Sequence, residues 1–140
     1  GDNMVAPNGI GAERAMSLAL KDADIETVDY INTHGTSTPV GDMAELKAIK
    51  AAFTKDIPHI SSTKSLSGHG LGAAGVHELI FSLVMMNDGF LCASSNLDDP
   101  DDLAKELPVL TENLETKIDY AMSNSFGFGG TNASLVIKAV

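Results

Sequence analysis

The sequence has no tryptophan, only two tyrosines and five phenylalanines, a single cysteine, and nine Lys and Arg against nineteen Asp and Glu. Each shortage excludes something. Without clustered basic side chains, and with a net charge of −10, the chain cannot neutralise the phosphates of a nucleic acid. Scarce aromatics leave little on which bases could stack. The lone Cys92 excludes an internal disulfide, fits a reducing compartment and reads as a buried structural thiol. The longest strongly apolar run, residues 79–86, is far shorter than the roughly 20 residues that span a bilayer. No basic or apolar leader opens the chain, so a cytoplasmic location is expected. The chain begins on Gly1 and not on Met, as expected of a tag remnant or of a piece of something longer.

What is present is globular. Apolar residues make up 44% and charged residues 20%, and 140 residues predict one domain over 1–140. Apolar spacing predicts a helix over 11–20, with Ala12, Ala15, Met16, Ala19 and Leu20 on one face. Residues 28–32 alternate as a strand. A second helix follows Thr38 and Pro39, with Met43, Leu46, Ile49 and Phe53 as its stripe. Residues 59–63 read as a short strand, and 72–86 as a helix apolar on all sides, hence buried all round. Two strands, 118–123 and 133–137, close the chain. The order predicts α/β architecture: a mixed sheet with helices on both faces, one of them buried. The layers written in this sequence are too few to cover that helix, so a second half is expected.

Seven of the thirteen glycines crowd into residues 68–75 and 127–130, where bare backbone can approach a ligand. His34 and His69 follow predicted strands, where α/β proteins bind ligands. Three loops are therefore expected to meet: 33–41, 64–70 and 125–132. The stretch 70–75 matches G-x-G-x-x-G, but the strand before it is polar and too distant for a dinucleotide fingerprint. Its plainer reading is close packing of helix on sheet. His77-Glu78 lacks a second histidine at metal-ligand spacing. His59 and His77 read as structural, and residues 85–86 as core.

Three motifs occur in order: HGTSTPVGD at 34–42, STKSLSGHGLGAAG at 62–75 and SNSFGFGGTN at 123–132. Together they resemble the C-terminal half of the β-ketoacyl-acyl carrier protein synthases, over essentially the whole chain. Residues 39–42 and 75–78 look closer to the type I synthases than to type II. Modular polyketide synthases match less well, since they usually carry Gly where Ser37 stands. The resemblance implies a thiolase-like fold of two α/β halves and a homodimer. It implies decarboxylative condensation of an acyl thioester with malonyl-acyl carrier protein in fatty acid synthesis. It implies no organic cofactor. The nucleophilic cysteine would belong to the N-terminal half, so this chain alone is expected to be inactive.

Carried over residue by residue, the resemblance makes His34 and His69 donors to the enolate oxygen. Lys64 becomes a source of positive potential, and Glu45 the acid that pairs with it. Thr36 and Thr38 would bind the pantetheine arm. The Phe128 N–H would form half of an oxyanion hole, and Phe126, Gly127, Phe128, Gly129 and Gly130 a gating loop. Glu78 is the only charged residue between Lys64 and Asp88, on a helix expected to be buried. It requires a partner, and the resemblance suggests Na⁺ or K⁺ held by Asn32, Glu78, Ser123 and Asn124; a neutral Glu78 bonded to Asn32 and Asn124 is the alternative. The rival readings are a non-catalytic, structural synthase fragment and a dinucleotide-binding domain. In either, the histidines would be structural, Glu45 and Lys64 an unrelated surface pair, and Phe126 and Phe128 plain core.

Overall fold

A computed structural model describes residues 9–140. The chain opens with helix α1 (Ile10–Asp22), whose buried Ala12, Met16 and Leu20 fall on one face. Strand β1 (Tyr30–Asn32) follows, buried throughout, and then helix α2 (Pro39–Ala52), with proline in its first turn. Thr38 is the N-cap residue, as expected, but its side chain makes no capping bond. Strand β2 (His59–Ser61) leads into a single helical turn, α3 (Lys64–Ser67), and a 3₁₀ turn at Leu71–Ala73. The long helix α4 (Ala74–Asp88) stops at Gly89, in the left-handed conformation with φ 72°. Then come β3 (Phe90–Leu91), α5 (Asp102–Glu106), β4 (Leu114–Glu115), β5 (Tyr120–Phe126) and β6 (Asn132–Lys138). The turn α3, helix α5 and the short ribbon of β3 with β4 lie where the sequence predicts loop, because such short pieces carry no readable period.

The main sheet has the order β2-β1-β5-β6. Strand β1 pairs in parallel with both β2 and β5, and β6 runs antiparallel to β5. The mixed α/β sheet is therefore as expected. Alternation along the strands separates two cores. Ile31 and Met122 join Met16, Leu20, Ile49 and Phe53 beneath α1 and α2. Tyr30 and Ala121 join Met85, Leu91 and Ile118 beside α4. Gly75 lies against the sheet: a Cβ there would stand 2.9 Å from Ser125 Oγ. That is the helix-on-sheet packing expected of the glycine-rich stretch, and it accounts for the last glycine of the pattern without a nucleotide.

Among the described residues helix α4 is buried on one side only, as expected of a chain with too few layers to cover it. Its sheet-facing residues are Ala74, Glu78, Ser82 and Met85, whereas Val76, Ile80, Phe81, Leu83 and Val84 are exposed. The inward side thus carries the polar Glu78 and Ser82 between Ala74 and Met85, and large apolar residues are left outward because among the described residues only one layer lies beside the helix. Cys92 is half-buried and not fully buried, at the rim of an apolar hollow of about 190 Å³ with Leu66, Phe81, Val84 and Phe90. An apolar patch of this kind drives association. The isolated 140-residue chain should bind a hydrophobic dye and self-associate, and Phe81→Asp with Val84→Asp should diminish both. A dye-silent monomer in sedimentation would contradict this account of α4.

Candidate active site

Strands β1 and β2 end side by side, with Asn32 in register with Ser61, while β5 passes Asn32 at Ser123 and runs on to Phe126. The loops that leave β1 and β2 are consequently neighbours. Thr33 stays tied to β2, its N–H donating to Ser61 O at 2.9 Å. The next two amides turn toward α2, where the buried Glu45 carboxylate accepts them both: His34 N–H at 2.9 Å and Gly35 N–H at 3.0 Å. Asn124 Nδ2 donates to the same carboxylate at 3.2 Å, and Ser134 Oγ fixes Asn124 through Oδ1 at 2.8 Å. Burial pushes the Glu45 carboxyl up, and these donors to its ionised form oppose the shift.

With its backbone held, His34 is half-buried, its ring 5.5 Å from that of His69 and nearly perpendicular to it. Phe126 lies on another side, 6.2 Å from the His34 ring. Burial, then the charge of Lys64, then His69 lower the His34 pKa to about 4, so the imidazole is neutral at pH 7. The exposed His69 takes its orientation from its own turn. Leu71 N–H donates to His69 Nδ1 at 3.1 Å; Nδ1 is therefore the acceptor, and the ring proton sits on Nε2.

Lys64 opens α3 and is buried. Its ammonium pairs with Glu78 of α4. The acid in contact with Lys64 is therefore Glu78, and the expected pairing with Glu45 is corrected: Glu45 is occupied by the loop amides and Asn124, and acts on Lys64 only through space. Burial lowers the Lys64 pKa to about 8, against the upward pull of Glu45 and Asp42; contact with Glu78 adds to that pull, so the ammonium form prevails at pH 7. Asn32 links the two sides of the pair. It donates to Thr63 Oγ1 at 3.1 Å and to the Glu78 carbonyl at 3.3 Å.

The expected oxygen cage of Asn32, Glu78, Ser123 and Asn124 is not assembled by side chains. Asn32 turns its NH₂ toward α4, while Asn124 reaches the opposite face of the sheet, to Glu45 and Met16. Adjacent residues on a strand face opposite ways, so the side chains of Ser123 and Asn124 do not share one ligand. The neutral-Glu78 alternative fails for the same reason. Among the described residues, the buried side-chain atoms without a hydrogen-bond partner are His34 Nδ1 and Glu78 Oε2. Both belong to this site.

The Thr36 and Thr38 hydroxyls lie 3.3 Å apart at the surface. The connection between β5 and β6 closes with Gly127 N–H on Thr131 O at 2.8 Å. Gly129 and Gly130 have φ of 75° and 80°, which favours glycine at both positions. The Phe128 side chain lies outside the described residues. The sequence reading missed Asp42, which accepts Thr36 N–H at 3.1 Å; its signal was a carboxylate one turn into a helix that follows a loop of hydroxyl residues.

Two histidines and a buried Lys–Glu pair thus stand at the strand ends of a mixed sheet. The chain belongs to the family described as Beta-ketoacyl synthase, C-terminal domain, which matches residues 1–98. It is 51% identical over 138 residues to 3-oxoacyl-(acyl-carrier-protein) synthase 1 of Escherichia coli strain K12, covering 99% of this chain and 34% of that protein. The chain therefore spans about a third of the length of such relatives. Its fold is similar to the crystal structure of a Beta-ketoacyl synthase from Burkholderia phymatum STM815, with TM-score 0.93 and 38% identity over 100% of this chain and 35% of that one. It is also similar to a ketosynthase solved in complex with its type II polyketide acyl-carrier protein and bound to the hexaketide, with TM-score 0.88 and 32% identity over 96% of this chain and 34% of that one.

Two measurements check the electrostatics. Glu78→Gln leaves the buried Lys64 ammonium unpaired and should cost roughly 3–5 kcal/mol of stability by denaturant titration, the usual scale for breaking one side of a buried pair. A loss under about 1 kcal/mol, the scale of an exposed pair, would deny the contact. For His34, the imidazole NMR titration should have its midpoint near 4. Unfolded histidine binds its proton near 6.5, so the neutral folded ring supports stability fully above pH 6.5, and that contribution is lost as pH falls toward 4. A midpoint at or above 6.5 would overturn this.

Proposed function

We propose that the chain is the C-terminal catalytic half of a 3-oxoacyl-acyl carrier protein synthase of fatty acid synthesis. It would act in the cytoplasm, as part of a homodimer, with an N-terminal half that supplies the nucleophilic cysteine. The observation that carries this is the pair of imidazoles 5.5 Å apart: His69 with its proton on the nitrogen facing away from its own backbone, His34 neutral, and Lys64 close by. In the reaction, the bond between the malonyl α-carbon and its carboxylate breaks and CO₂ leaves. The electron pair becomes an enolate, with negative charge on the thioester oxygen. Two imidazole N–H donors turned to one oxygen would be suited to that charge. The enolate carbon then attacks the acyl-cysteine carbonyl, and the cysteine thiolate leaves. Lys64 adds positive potential to the same region without donating its proton.

The remaining roles belong to the same proposal. Thr36 and Thr38 would receive the polar groups of the pantetheine arm of acyl carrier protein. The Phe128 N–H would contribute to the acyl oxyanion hole. Residues 126–130 would open and close over the acyl group, using the freedom of Gly127, Gly129 and Gly130. A structural Na⁺ or K⁺ enters only through Glu78 Oε2, with main-chain carbonyls replacing the divided side-chain cage.

The test separates two steps in the whole synthase. His34→Ala or His69→Ala should slow CO₂ release by about 10²–10³, the scale for losing one preorganised donor. Acyl-enzyme formation should fall much less, because its oxyanion hole is made of backbone amides. Equal losses in both steps would place the histidines on the nucleophile instead of on the enolate. The 140-residue chain alone should form no carbon–carbon bond.

A further inference from the structure

Lys64 is held by more than its ion pair. Strand β2 ends at Ser61, and Lys64 opens α3 three residues later. The connection is gripped on both sides of Lys64 by one strap, residues 93–96, which follows β3. Ahead of Lys64, the Ser62 N–H donates to Ser94 Oγ at 3.0 Å. Beyond it, Ser65 Oγ accepts the Ser95 N–H at 2.9 Å, and Asn96 Nδ2 donates to Ser65 O at 3.2 Å. Each segment thus offers a serine hydroxyl to a backbone amide of the other, with Lys64 between the two fastened residues. The strap is itself fixed. Ala93 N–H donates to Asn113 Oδ1 at 3.0 Å, and Ser94 N–H to Leu110 O at 2.9 Å. Leu110 N–H donates to Ile60 O at 2.8 Å, so strap and β2 are both set from the same residue. Ser62, Ser65 and Ser94 are half-buried, and an amide that loses its acceptor away from water costs more than the bond contributed.

We infer that Ser94 is a positioning residue: through the Ser62 amide it fixes the path of the chain from β2 to Lys64, and so sets where the ammonium stands relative to the imidazoles of His34 and His69. This rests on the proposed role of Lys64 as a source of positive potential for the enolate. The ion pair fastens the ammonium to α4 from one side, and the strap fastens the backbone that carries it. The potential of a charge falls with distance, so a Lys64 displaced from its place stabilises less of the negative charge that forms as CO₂ leaves. Acyl transfer to the cysteine places its charge in a hole of backbone amides and does not call on Lys64. The effect of Ser94 should therefore fall on one step of the reaction and spare the other.

The experiment uses the whole synthase and follows two steps: acyl-enzyme formation from acyl-acyl carrier protein, and CO₂ release from malonyl-acyl carrier protein on the acylated enzyme. Ser94→Ala removes the acceptor of the Ser62 amide. CO₂ release should fall by about tenfold, a loss of the order that a small misplacement causes, while acyl-enzyme formation stays within about twofold of wild type. Ser94→Thr keeps a hydroxyl acceptor and should return CO₂ release to within about threefold of wild type. Ser65→Ala releases the grip on the other side of Lys64 and should slow the same step; it decides the matter if Ser94→Ala fails to fold. Equal losses in both steps, which a merely structural role would give, would overturn the inference. So would a folded Ser94→Ala, or in its place Ser65→Ala, that releases CO₂ at the wild-type rate, or a Ser94→Thr enzyme no faster than Ser94→Ala. Failure of the underlying reading shows differently: Lys64→Ala would then leave CO₂ release unchanged.

Discussion

Strand β1 hydrogen-bonds in parallel to β2 on one flank and β5 on the other, and its last residue, Asn32, is level with Ser61 and Ser123. The candidate site depends on that register. It makes the segments after β1 and β2 start from one line, with β5 running past them to Phe126, so that His34, Lys64 and Phe126 lie near one another's strand ends. A slip of one residue in β1 would turn Asn32 from α4 toward α1 and reverse every side chain of the strand. Such a slip is resisted on both faces. Ile31 is packed among Met16, Ile49 and Met122, and Tyr30 bonds Ser61 Oγ at 2.8 Å on the other side.

Two buried acidic residues sit near these strand ends, one on each face of the sheet, and their polar atoms are satisfied differently. Glu45 is answered by dipoles: two backbone amides and the Asn124 amide. Glu78 is answered by a whole charge, Lys64. The difference follows from what each is for. Dipoles are short-ranged and directional, which suits fixing the backbone of His34. A full ion pair keeps a positive charge beside the imidazoles, and the depressed pKa of His34 is one of its consequences. Neither carboxylate could be removed without leaving a buried group unsatisfied, which costs more than the bond itself contributes.

How far the sequence can be read follows the same division. The meeting of three loops was legible because histidines and glycines follow short strands, and strand ends are where α/β folds bind ligands. The helices α1 and α2 were legible from their stripes. The partner of Lys64 was not, because fourteen residues and two turns separate it from Glu78, and no local period records which way α3 points. Nor were the bonds of Glu45 and Asp42, since a carboxylate that binds backbone amides has no complementary side chain in the sequence to reveal it. That the Ser123 and Asn124 side chains part to opposite faces follows from a rule that was available, since they are adjacent in a strand.

Helix α4 shows why hydropathy alone misplaces such an element. The buried side of α4 follows the spacing Ala74, Glu78, Ser82, Met85, a stripe of small and polar residues with one methionine. Counting apolar residues around the helix predicts burial on every side, yet the side against the sheet is the polar one. It has to be, because that side delivers Glu78 to Lys64 and the Ser82 hydroxyl to the Glu78 carbonyl at 2.8 Å. A low-dielectric layer strengthens this pairing only while water is excluded. The outward residues Val76, Ile80, Phe81, Leu83 and Val84 serve no such purpose against the sheet, and leaving them exposed forgoes roughly 1.5–3 kcal/mol for each large side chain that could be buried. In the proposed enzyme a second α/β half would pack on that face. The same contact would then bury the apolar side of α4, dry the ion pair beneath it, and bring the nucleophile to the two histidines.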